Sequence, residues 1–145
     1  MKELLYLQDT QLKELIENLF TGYRESFSDA RKTLDKYSIG IAHHKVLHLL
    51  SMYSGITISE LLKKLKITKQ SLNRVLKELI QLEVIFFEKN EQDLRVKHIF
   101  LNSKGEKIFN EIFSTQKKRI YTALLNSSSE QVINFENVLK KIINE

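Results

Sequence analysis

Six basic side chains lie between residues 61 and 77, and no acidic residue lies among them. They are Lys63, Lys64, Lys66, Lys69, Arg74 and Lys77. This stretch, which we call the basic segment, carries +6, whereas the whole chain of 145 residues carries +5. Positive charge concentrated on one short segment is the electrostatic pattern expected of a surface that binds phosphate groups. The alternative is a solvated face in a protein rich in lysine.

Some side chains of the basic segment can also bind the edges of DNA bases. Arg74 can donate two hydrogen bonds to guanine O6 and N7, and Asn73 or Gln70 can pair with adenine N6 and N7. Phosphate contacts position a protein on DNA, whereas base contacts give sequence preference. We therefore expect base contacts from these three residues. Phosphate contacts are expected from Lys63, Lys64, Thr68, Lys69, Ser71 and Lys77.

A second charged group occupies residues 89–97. Asp93 and Arg95 stand two residues apart, and Lys97 and Lys89 lie close by. By itself this pattern also fits a surface ion pair, which contributes about 0–1 kcal/mol. The element that carries these residues therefore decides between a DNA contact and a plain ion pair.

The four histidines give little support to a metal site or to catalysis. His44 and His48 are four residues apart and could share a metal ion on one face of a helix, but this spacing is a weak indication. The chain has no cysteine and no H-E-x-x-H motif, and it lacks the G-x-S-x-G, Walker and dinucleotide-binding motifs. We therefore expect no catalytic residue, no metal and no cofactor.

The composition favours a soluble and mainly helical domain. The chain is 42% hydrophobic and 28% charged, and it has four glycines, no proline and no cysteine. Because so few residues break helices, helices are favoured over strands. Unbroken apolar runs reach about four residues, far below the roughly 20 that span a bilayer, and the N-terminus lacks the apolar region of a signal peptide. These features predict a cytoplasmic protein without membrane contact.

Two helices are predicted before the basic segment. Apolar residues recur at spacings of three and four from Leu12 to Leu34, which predicts an amphipathic helix over residues 9–36 with a wide apolar stripe. A break follows at residues 38–40. A second helix, which is nearly all apolar, is predicted over residues 42–53.

The basic segment itself is predicted to lie on two short helices. Thr57 and Glu60 form a capping box before a helix over residues 58–65. A three-residue turn follows, and Thr68 caps a helix over residues 69–82. The buried stripe predicted for this second helix consists of Leu72, Val75, Leu76, Leu79 and Ile80. Its basic and amide side chains fall on the opposite face, which is the pattern of a DNA-binding helix-turn-helix.

After these helices the pattern changes to strands and then back to helices. Residues 84–87 and 96–101 are β-type and flank a polar stretch, which predicts a β-hairpin, or wing, that carries the charged group at residues 89–97. Asn102 caps the helix that follows. Ser128 opens a last helix in a second capping box.

The order of these elements and several short motifs resemble the MarR family of bacterial transcription regulators over nearly the whole chain. The motifs are Ile58-Ser-Glu-Leu-Leu, Leu65-Lys-Ile-Thr-Lys69, Leu72-Asn-Arg-Val, Asp93-Leu-Arg95 and Leu101-Asn-Ser-Lys-Gly105. The most specific is the D-x-R pattern followed by the K-G start of a helix. The resemblance implies a mainly α fold with a small β-hairpin wing, which is a winged helix-turn-helix with N- and C-terminal dimerisation helices.

The resemblance also implies how the chain is organised and what it binds. A single domain over residues 1–145 contains a winged helix-turn-helix lobe at 41–102 and dimerisation helices at 1–40 and 103–145. The expected assembly is a homodimer that covers a pseudo-palindromic operator in double-stranded DNA. The expected role is transcription regulation, as a repressor.

Two further groups receive roles from the resemblance. In the wing, Arg95 enters the DNA minor groove, Asp93 orients it and Lys97 adds positive charge. The second predicted helix of such proteins lines a pocket, which favours a small aromatic or acidic effector that releases the repressor from DNA. The candidate polar contacts of this effector are Tyr37, His43, His44 and Tyr53.

Two residues depart from the family pattern. Lys66 in the helix-turn-helix turn and Glu83 after the second helix stand where the family usually has glycine. Glycine tolerates positive φ, so another residue there costs about 1 kcal/mol or the turn differs. A phosphate contact by Lys66 would offset this cost, whereas nothing in the sequence explains Glu83. An alternative function is therefore a protein-interaction module that kept the fold without recognising an operator.

Overall fold

The computed structural model describes residues 4–144 and confirms a mainly helical fold with a small sheet. The elements are α1 (Asp9–Ser28), α2 (Arg31–Lys36), α3 (Ile41–Met52), β1 (Ile56–Thr57), α4 (Ile58–Leu65), α5 (Lys69–Gln81), β2 (Ile85–Lys89), β3 (Lys97–Leu101), α6 (Ser103–Leu125) and α7 (Ser129–Ile143). A short 3-10 helix, Leu5–Leu7, precedes α1. The chain forms two compact units.

The first unit, Ala30–Phe113, is built around one apolar core, and we call it the winged unit. Its fully buried side chains come from α3, α4, α5, α6 and the sheet. The largest of them are Leu47, Leu50, Leu61, Leu72, Leu79, Ile99 and Ile112. Each buried side chain of this size contributes about 1.5–3 kcal/mol through removal from water. Because α5 supplies four core residues, its opposite face is fixed toward solvent.

The wing is a three-stranded antiparallel sheet in the order β1-β3-β2. In the hairpin, Ile85 pairs with Leu101 and Lys89 pairs with Lys97. The predicted hairpin is therefore confirmed. Strand β1 is an addition that the sequence pattern did not predict, since two residues are too few to give a readable alternation.

The helix-turn-helix begins and ends at the predicted capping residues. The hydroxyl of Thr57 accepts the Glu60 N–H at 3.2 Å, and the Glu60 carboxylate accepts the Thr57 N–H at 3.3 Å. Helix α4 ends at Leu65 and is capped by Lys66, which has a left-handed conformation with φ 51°. The hydroxyl of Thr68 then accepts the Ser71 N–H at 3.1 Å and starts α5.

The end of α5 is tied to the start of α6. Glu83 has φ 61°, so the chain keeps the left-handed backbone at both positions where the family usually has glycine. The N–H groups of Glu83 and Val84 return to carbonyls in the last turn of α5 at 2.9 and 3.3 Å, which is a Schellman motif. The Asn102 side chain donates to the Glu83 carbonyl at 2.7 Å and accepts the Gly105 N–H at 2.8 Å. These bonds confirm Asn102 as the predicted cap.

Two details of the predicted helices are wrong. The single helix predicted over residues 9–36 is interrupted after Ser28, and α2 follows as a separate element. Tertiary contacts mark this interruption, because Asp29 accepts two hydrogen bonds from Arg119 at 2.6 and 3.0 Å while Ala30 is fully buried. Ile80 is 43% exposed and does not belong to the buried stripe, since it lies about 100° around α5 from Leu79.

The second unit consists of the described residues of Met1–Asp29 and Ser114–Glu145, and we call it the helical unit. None of the described residues in α1 or α7 is buried. Large apolar side chains on these helices are strongly exposed, including Phe20 at 57%, Ile133 at 57% and Phe135 at 55%. Within residues 4–144, no helix has the length and apolar character needed to cross a membrane.

Candidate nucleic-acid interface

Helix α5 has one buried face and one exposed polar face, as the sequence predicts apart from Ile80. The exposed face carries Gln70, Ser71, Asn73, Arg74 and Lys77. The side chain of Arg74 is 81% exposed. Because the helix is anchored on its other side, these five side chains are presented by a rigid element and can reach a groove of DNA.

The predicted phosphate-binding lysines beside the turn are also exposed. Lys63 and Lys64 lie in the last turn of α4, where the helix dipole favours positive charge, and Lys69 opens α5. The Lys64 ammonium lies 4.2 Å from the centre of the ring of Tyr53, the residue that caps the end of α3, and this contact restrains the lysine. The helix-turn-helix therefore groups positive charge at both ends of its turn.

The two hydroxyl groups predicted to contact phosphate already form hydrogen bonds in the free chain. The Thr68 hydroxyl donates to the Ser71 Oγ at 2.8 Å and accepts the Ser71 N–H. The hydrogen of the Ser71 hydroxyl is left to point elsewhere. In this arrangement the Ser71 hydroxyl can donate to a phosphate oxygen.

Arg95 and Asp93 form the predicted pair in the turn of the wing. The Arg95 Nε lies 3.1 Å from Asp93 Oδ1, and its Nη2 lies 3.4 Å from Oδ2. The hydrogen bond from Arg95 lowers the pKa of the Asp93 carboxyl, because it stabilises the charged form. The Arg95 side chain is 91% exposed. The pair thus orients an arginine that has little other packing to restrain it.

One open groove brings the helix-turn-helix and the wing together. It has a volume of about 570 Å³. The described residues that line it are Thr57, Ile58, Ser59, Leu62, Lys69, Arg95, Val96 and Lys97. Three of them are cations and none is acidic, so the groove suits a segment of phosphate backbone.

A chain of polar contacts connects α3 to the exposed face of α5. His43 Nδ1 accepts the Gly40 N–H at 3.1 Å, so its Nε2 carries the hydrogen and donates to Glu78 Oε2 at 2.5 Å. The other oxygen of Glu78 lies 3.7 Å from the Nε of Arg74. Arg74, the strongest candidate for base contact, is therefore already paired with the Glu78 carboxylate in the free chain.

The four predicted effector contacts lie in different environments. His43 is bound to α5 as described, and His44 is fully buried in the winged unit. The Tyr37 hydroxyl donates to the carboxylate of Glu111 on α6. Tyr53 is 44% exposed beside a lysine of α4. Each residue thus has a structural role, and its contact with an effector stays a prediction.

The remaining helical histidine is packed against an aromatic ring. His48 lies with its ring centre 5.9 Å from that of Phe109, and burial lowers the pKa of His48. Among residues 4–144, no group of three or more histidine, aspartate or glutamate side chains converges as a metal site would require.

Two polar residues of the wing, Asn90 and His98, were not predicted as site residues. Asn90 accepts two backbone N–H groups in the hairpin turn, and its side-chain nitrogen lies 3.0 Å from His98 Nε2. An asparagine at the start of a hairpin turn is a readable sequence signal. Its pairing with His98, eight residues further along the chain, cannot be read from the sequence, since it depends on the register of the two strands.

Comparison with known proteins connects this geometry to one family. A sequence model of the MarR family matches residues 37–95. The HTH-type transcriptional regulator PetP of Rhodobacter capsulatus is 34% identical over 140 residues, which cover 97% of this chain and 84% of PetP. This relative is named as a transcriptional regulator.

Solved structures share the fold. A mutant of MepR from a multidrug-resistant S. aureus isolate has a TM-score of 0.75 at 22% identity, with 88% of this chain and 94% of MepR covered. The S. aureus MepR–DNA complex has a TM-score of 0.68 at 22% identity, with 94% and 97% covered. Staphylococcus aureus MarR in complex with salicylate and kanamycin has a TM-score of 0.73 at 24% identity, with 92% and 91% covered. At these identities the likeness establishes the fold.

Proposed function

This chain belongs to the MarR family of winged helix-turn-helix transcription regulators, and we propose that it acts as a homodimeric repressor at a pseudo-palindromic operator in double-stranded DNA. The observation that carries the proposal is the exposed polar face of α5 beside a groove lined by three cations. A surface with base-reading and phosphate-binding side chains side by side is suited to DNA.

The proposed contacts follow from where each side chain is presented. Helix α5 enters the major groove, where Arg74 meets guanine while Asn73 and Gln70 meet adenine. Arg95 enters the adjacent minor groove with Asp93 as its orienting partner, supported by Lys97. The phosphate contacts fall to Lys63, Lys64, Thr68, Lys69, Ser71 and Lys77. A DNA complex has been solved for MepR, which shares the fold, and this supports DNA as the ligand.

The homodimer is proposed because the helical unit leaves much apolar surface uncovered. Helices α1 and α7 have no buried residue among those described, and their exposed residues include Phe20, Ile133 and Phe135. A soluble protein rarely leaves such surfaces open to water. We expect an obligate type of interface that buries more than about 2,000 Å².

The dimer is tested by sedimentation at micromolar concentration. The expected species has twice the mass of the 17.1 kDa chain. Two α5 helices of this dimer would have to lie about 34 Å apart to enter successive major grooves. A stable species of 17.1 kDa would contradict the dimer without contradicting DNA binding by one chain.

Release by a small aromatic or acidic effector is the second part of the proposal. Its support is the complex of S. aureus MarR with salicylate and kanamycin, a protein that shares this fold, together with the polar groups of Tyr37, His43, His44 and Tyr53. Effector and DNA would oppose one another through a coupling free energy of about 1–3 kcal/mol. A thermal-shift screen with salicylate and other aromatic acids, followed by operator titration with each hit, tests this step. If no hit lowers operator affinity, the effector part is wrong.

DNA binding itself is tested by the salt dependence of duplex binding. Selection from a random duplex library gives the preferred sequence, and its affinity is then measured between 50 and 200 mM salt, where each phosphate contact adds about 0.9 to the slope. Lys69→Gln should lower the slope by about one unit. Lys13→Gln on α1 removes the same charge outside the groove and should leave the slope unchanged. Absence of salt-dependent duplex binding would favour the protein-interaction module instead.

A further inference from the structure

The turn of the wing is organised around the side chain of Asn90. Its Oδ1 accepts the N–H groups of Gln92 at 2.9 Å and Asp93 at 3.1 Å. Its backbone N–H donates to the Val96 carbonyl at 2.9 Å, so the residue is held at both its backbone and its side chain. Because the oxygen of the amide is occupied by two donors, the NH₂ group must be the end that faces His98.

The hydrogen-bond partners of His98 assign its tautomer. Its Nδ1 lies 2.8 Å from the carbonyl oxygen of Gly55, which can only accept, so Nδ1 carries a hydrogen. Its Nε2 lies 3.0 Å from the Asn90 NH₂ group, which can only donate, so Nε2 is bare. The half-buried His98 therefore bridges the loop before β1 and the turn of the wing.

The chain of bonds continues from Asn90 to the wing arginine. The backbone of Asp93 is held by Asn90 through its N–H. The carboxylate of Asp93 in turn accepts the Arg95 backbone N–H at 3.1 Å and two N–H groups of its guanidinium. All of these bonds run in the same direction. Arg95 donates to Asp93, and Asp93 donates to Asn90. Asn90 donates to His98, which donates to Gly55.

We propose that His98 and Asn90 are positioning residues for Arg95 and fix the direction in which the wing arginine meets DNA. This inference rests on the proposed function only for the contact with DNA. The hydrogen bonds that hold the turn are already present in the chain without DNA. The Arg95 side chain is 91% exposed, so packing restrains it little and the hydrogen-bonded turn supplies the constraint. An arginine fixed before binding loses less conformational freedom in the complex.

Two conservative replacements of His98 separate its two hydrogen bonds. In His98→Gln, the side-chain amide reaches the position of Nε2, and its oxygen can accept from Asn90 while the bond to Gly55 is lost. In His98→Asn, the shorter amide reaches the position of Nδ1 and can donate to Gly55 while the bond to Asn90 is lost. Both variants are uncharged and polar, so they form a matched pair.

The first measurement uses the full chain without DNA. In a ¹H–¹⁵N spectrum, His98→Asn should move the backbone resonances of Gln92, Asp93 and Arg95, whereas His98→Gln should move them much less. Long-range ¹H–¹⁵N spectra of the wild type should show the hydrogen of His98 on Nδ1. Unchanged turn resonances in His98→Asn, or a hydrogen on Nε2 in the wild type, would overturn the proposal.

The second measurement is a double-mutant cycle on the duplex found by library selection. His98→Asn should lower affinity about 10-fold, and His98→Gln should stay within about two-fold of the wild type. If His98 acts through Arg95, the double variant His98→Asn/Arg95→Ala should bind no more weakly than Arg95→Ala. Losses that multiply in the double variant would overturn the proposal. If the wild type binds no duplex, the proposed function fails, and the spectra of the free chain still decide whether His98 positions Arg95.

Discussion

The carbonyl oxygen of Val84 lies 2.1 Å from the place that a β-carbon on Gly105 would occupy. The same carbonyl accepts the Asn102 N–H at 3.1 Å, and Lys104 donates to the nearby Leu82 carbonyl at 3.0 Å. Because the obstructing atom is backbone and is held in this junction, it cannot move aside as the end of a flexible side chain could. The glycine of the K-G motif is thus required where α5 meets α6.

Gly105→Ala should therefore destabilise the chain. Overpacking of a rigid site costs about 1–3 kcal/mol, and we expect the upper part of that range. Urea denaturation at one fixed protein concentration measures the change. Gly22→Ala is the matched control, because nothing apart from its chain neighbours and its own helix backbone lies within 4 Å of its β-carbon position, and alanine favours the helix by about 0.5–1 kcal/mol. Equal midpoints for the two variants would contradict the steric argument.

Among residues 4–144, three residues other than glycine have positive φ, and two of them, Lys66 and Glu83, give a second prediction. Their φ values are 51° and 61°, a conformation that costs an L-residue about 1–2 kcal/mol and costs glycine nothing. Glycine loses more entropy on folding, so Lys66→Gly and Glu83→Gly should each raise the free energy of unfolding by about 0.5–1 kcal/mol. Thermal or urea unfolding measures this gain. A loss of stability in either variant would mean that the side chain makes a contact worth more than the strain.

The same two variants should differ on DNA. If Lys66 contacts a phosphate, Lys66→Gly lowers the salt slope of duplex binding by about one unit. Glu83→Gly should leave that slope unchanged, because Glu83 lies at the other end of α5 and carries no positive charge. Each variant is thus the control for the other. Identical slopes would show that Lys66 is not part of the DNA contact.

Local signals account for the parts of the fold that the sequence predicts well. Thr57, Thr68, Asn102 and Ser128 each satisfy backbone N–H groups within three residues, so their positions as caps can be read without tertiary structure. The break after Ser28 could not be read in this way. No glycine or proline marks it, and Asp29 meets a partner 90 residues away on α6.

In the candidate site, too, local features could be predicted from the sequence and long-range contacts could not. The exposed face of α5 follows from its period of 3.6 residues, so Arg74 and Lys77 could be placed in advance. The pairing of His43 with Glu78 spans 35 residues between two helices, and that of Asn90 with His98 depends on strand register. Sequence spacing alone does not determine such contacts.

The ion pair of Glu111 with Lys36 gives a prediction on pH. The Lys36 ammonium donates to Glu111 at 2.8 Å, and this bond, followed by that from Tyr37, lowers the pKa of Glu111. A carboxyl whose pKa is lowered by folding stabilises the fold above its unfolded pKa, which is about 4.3 for glutamate. That contribution is lost as the pH falls through the lowered pKa of the folded state.

An NMR titration of the Glu111 side-chain carboxyl carbon measures this pKa directly. We expect it below the ordinary glutamate value in the wild type and higher in Lys36→Met. Lys107→Met is the control, because Lys107 contributes only a weaker electrostatic effect and its loss should raise the pKa less. Equal pKa values in the wild type and Lys36→Met would contradict the ion pair.

The last prediction concerns how the exposed face of α5 reads DNA. Arg74 is paired with Glu78 at 3.7 Å in the free chain, but an exposed pair of this kind contributes about 0.3–0.5 kcal/mol. A bidentate contact with guanine discriminates by about 1–3 kcal/mol, so Arg74 gains by turning from Glu78 to the base. Arg74→Ala should therefore cost about 1–3 kcal/mol on the selected operator and relax the base preference at one position in each half-site.

Lys77→Ala should weaken binding to all sequences alike and lower the salt slope by about one unit. Arg95→Ala should weaken binding most where A·T pairs flank the major-groove contacts. Competition binding against operators substituted one position at a time separates the three patterns. If all three variants bind every operator as tightly as the wild type does, α5 and the wing do not read DNA, and the interaction module becomes the better account of this surface.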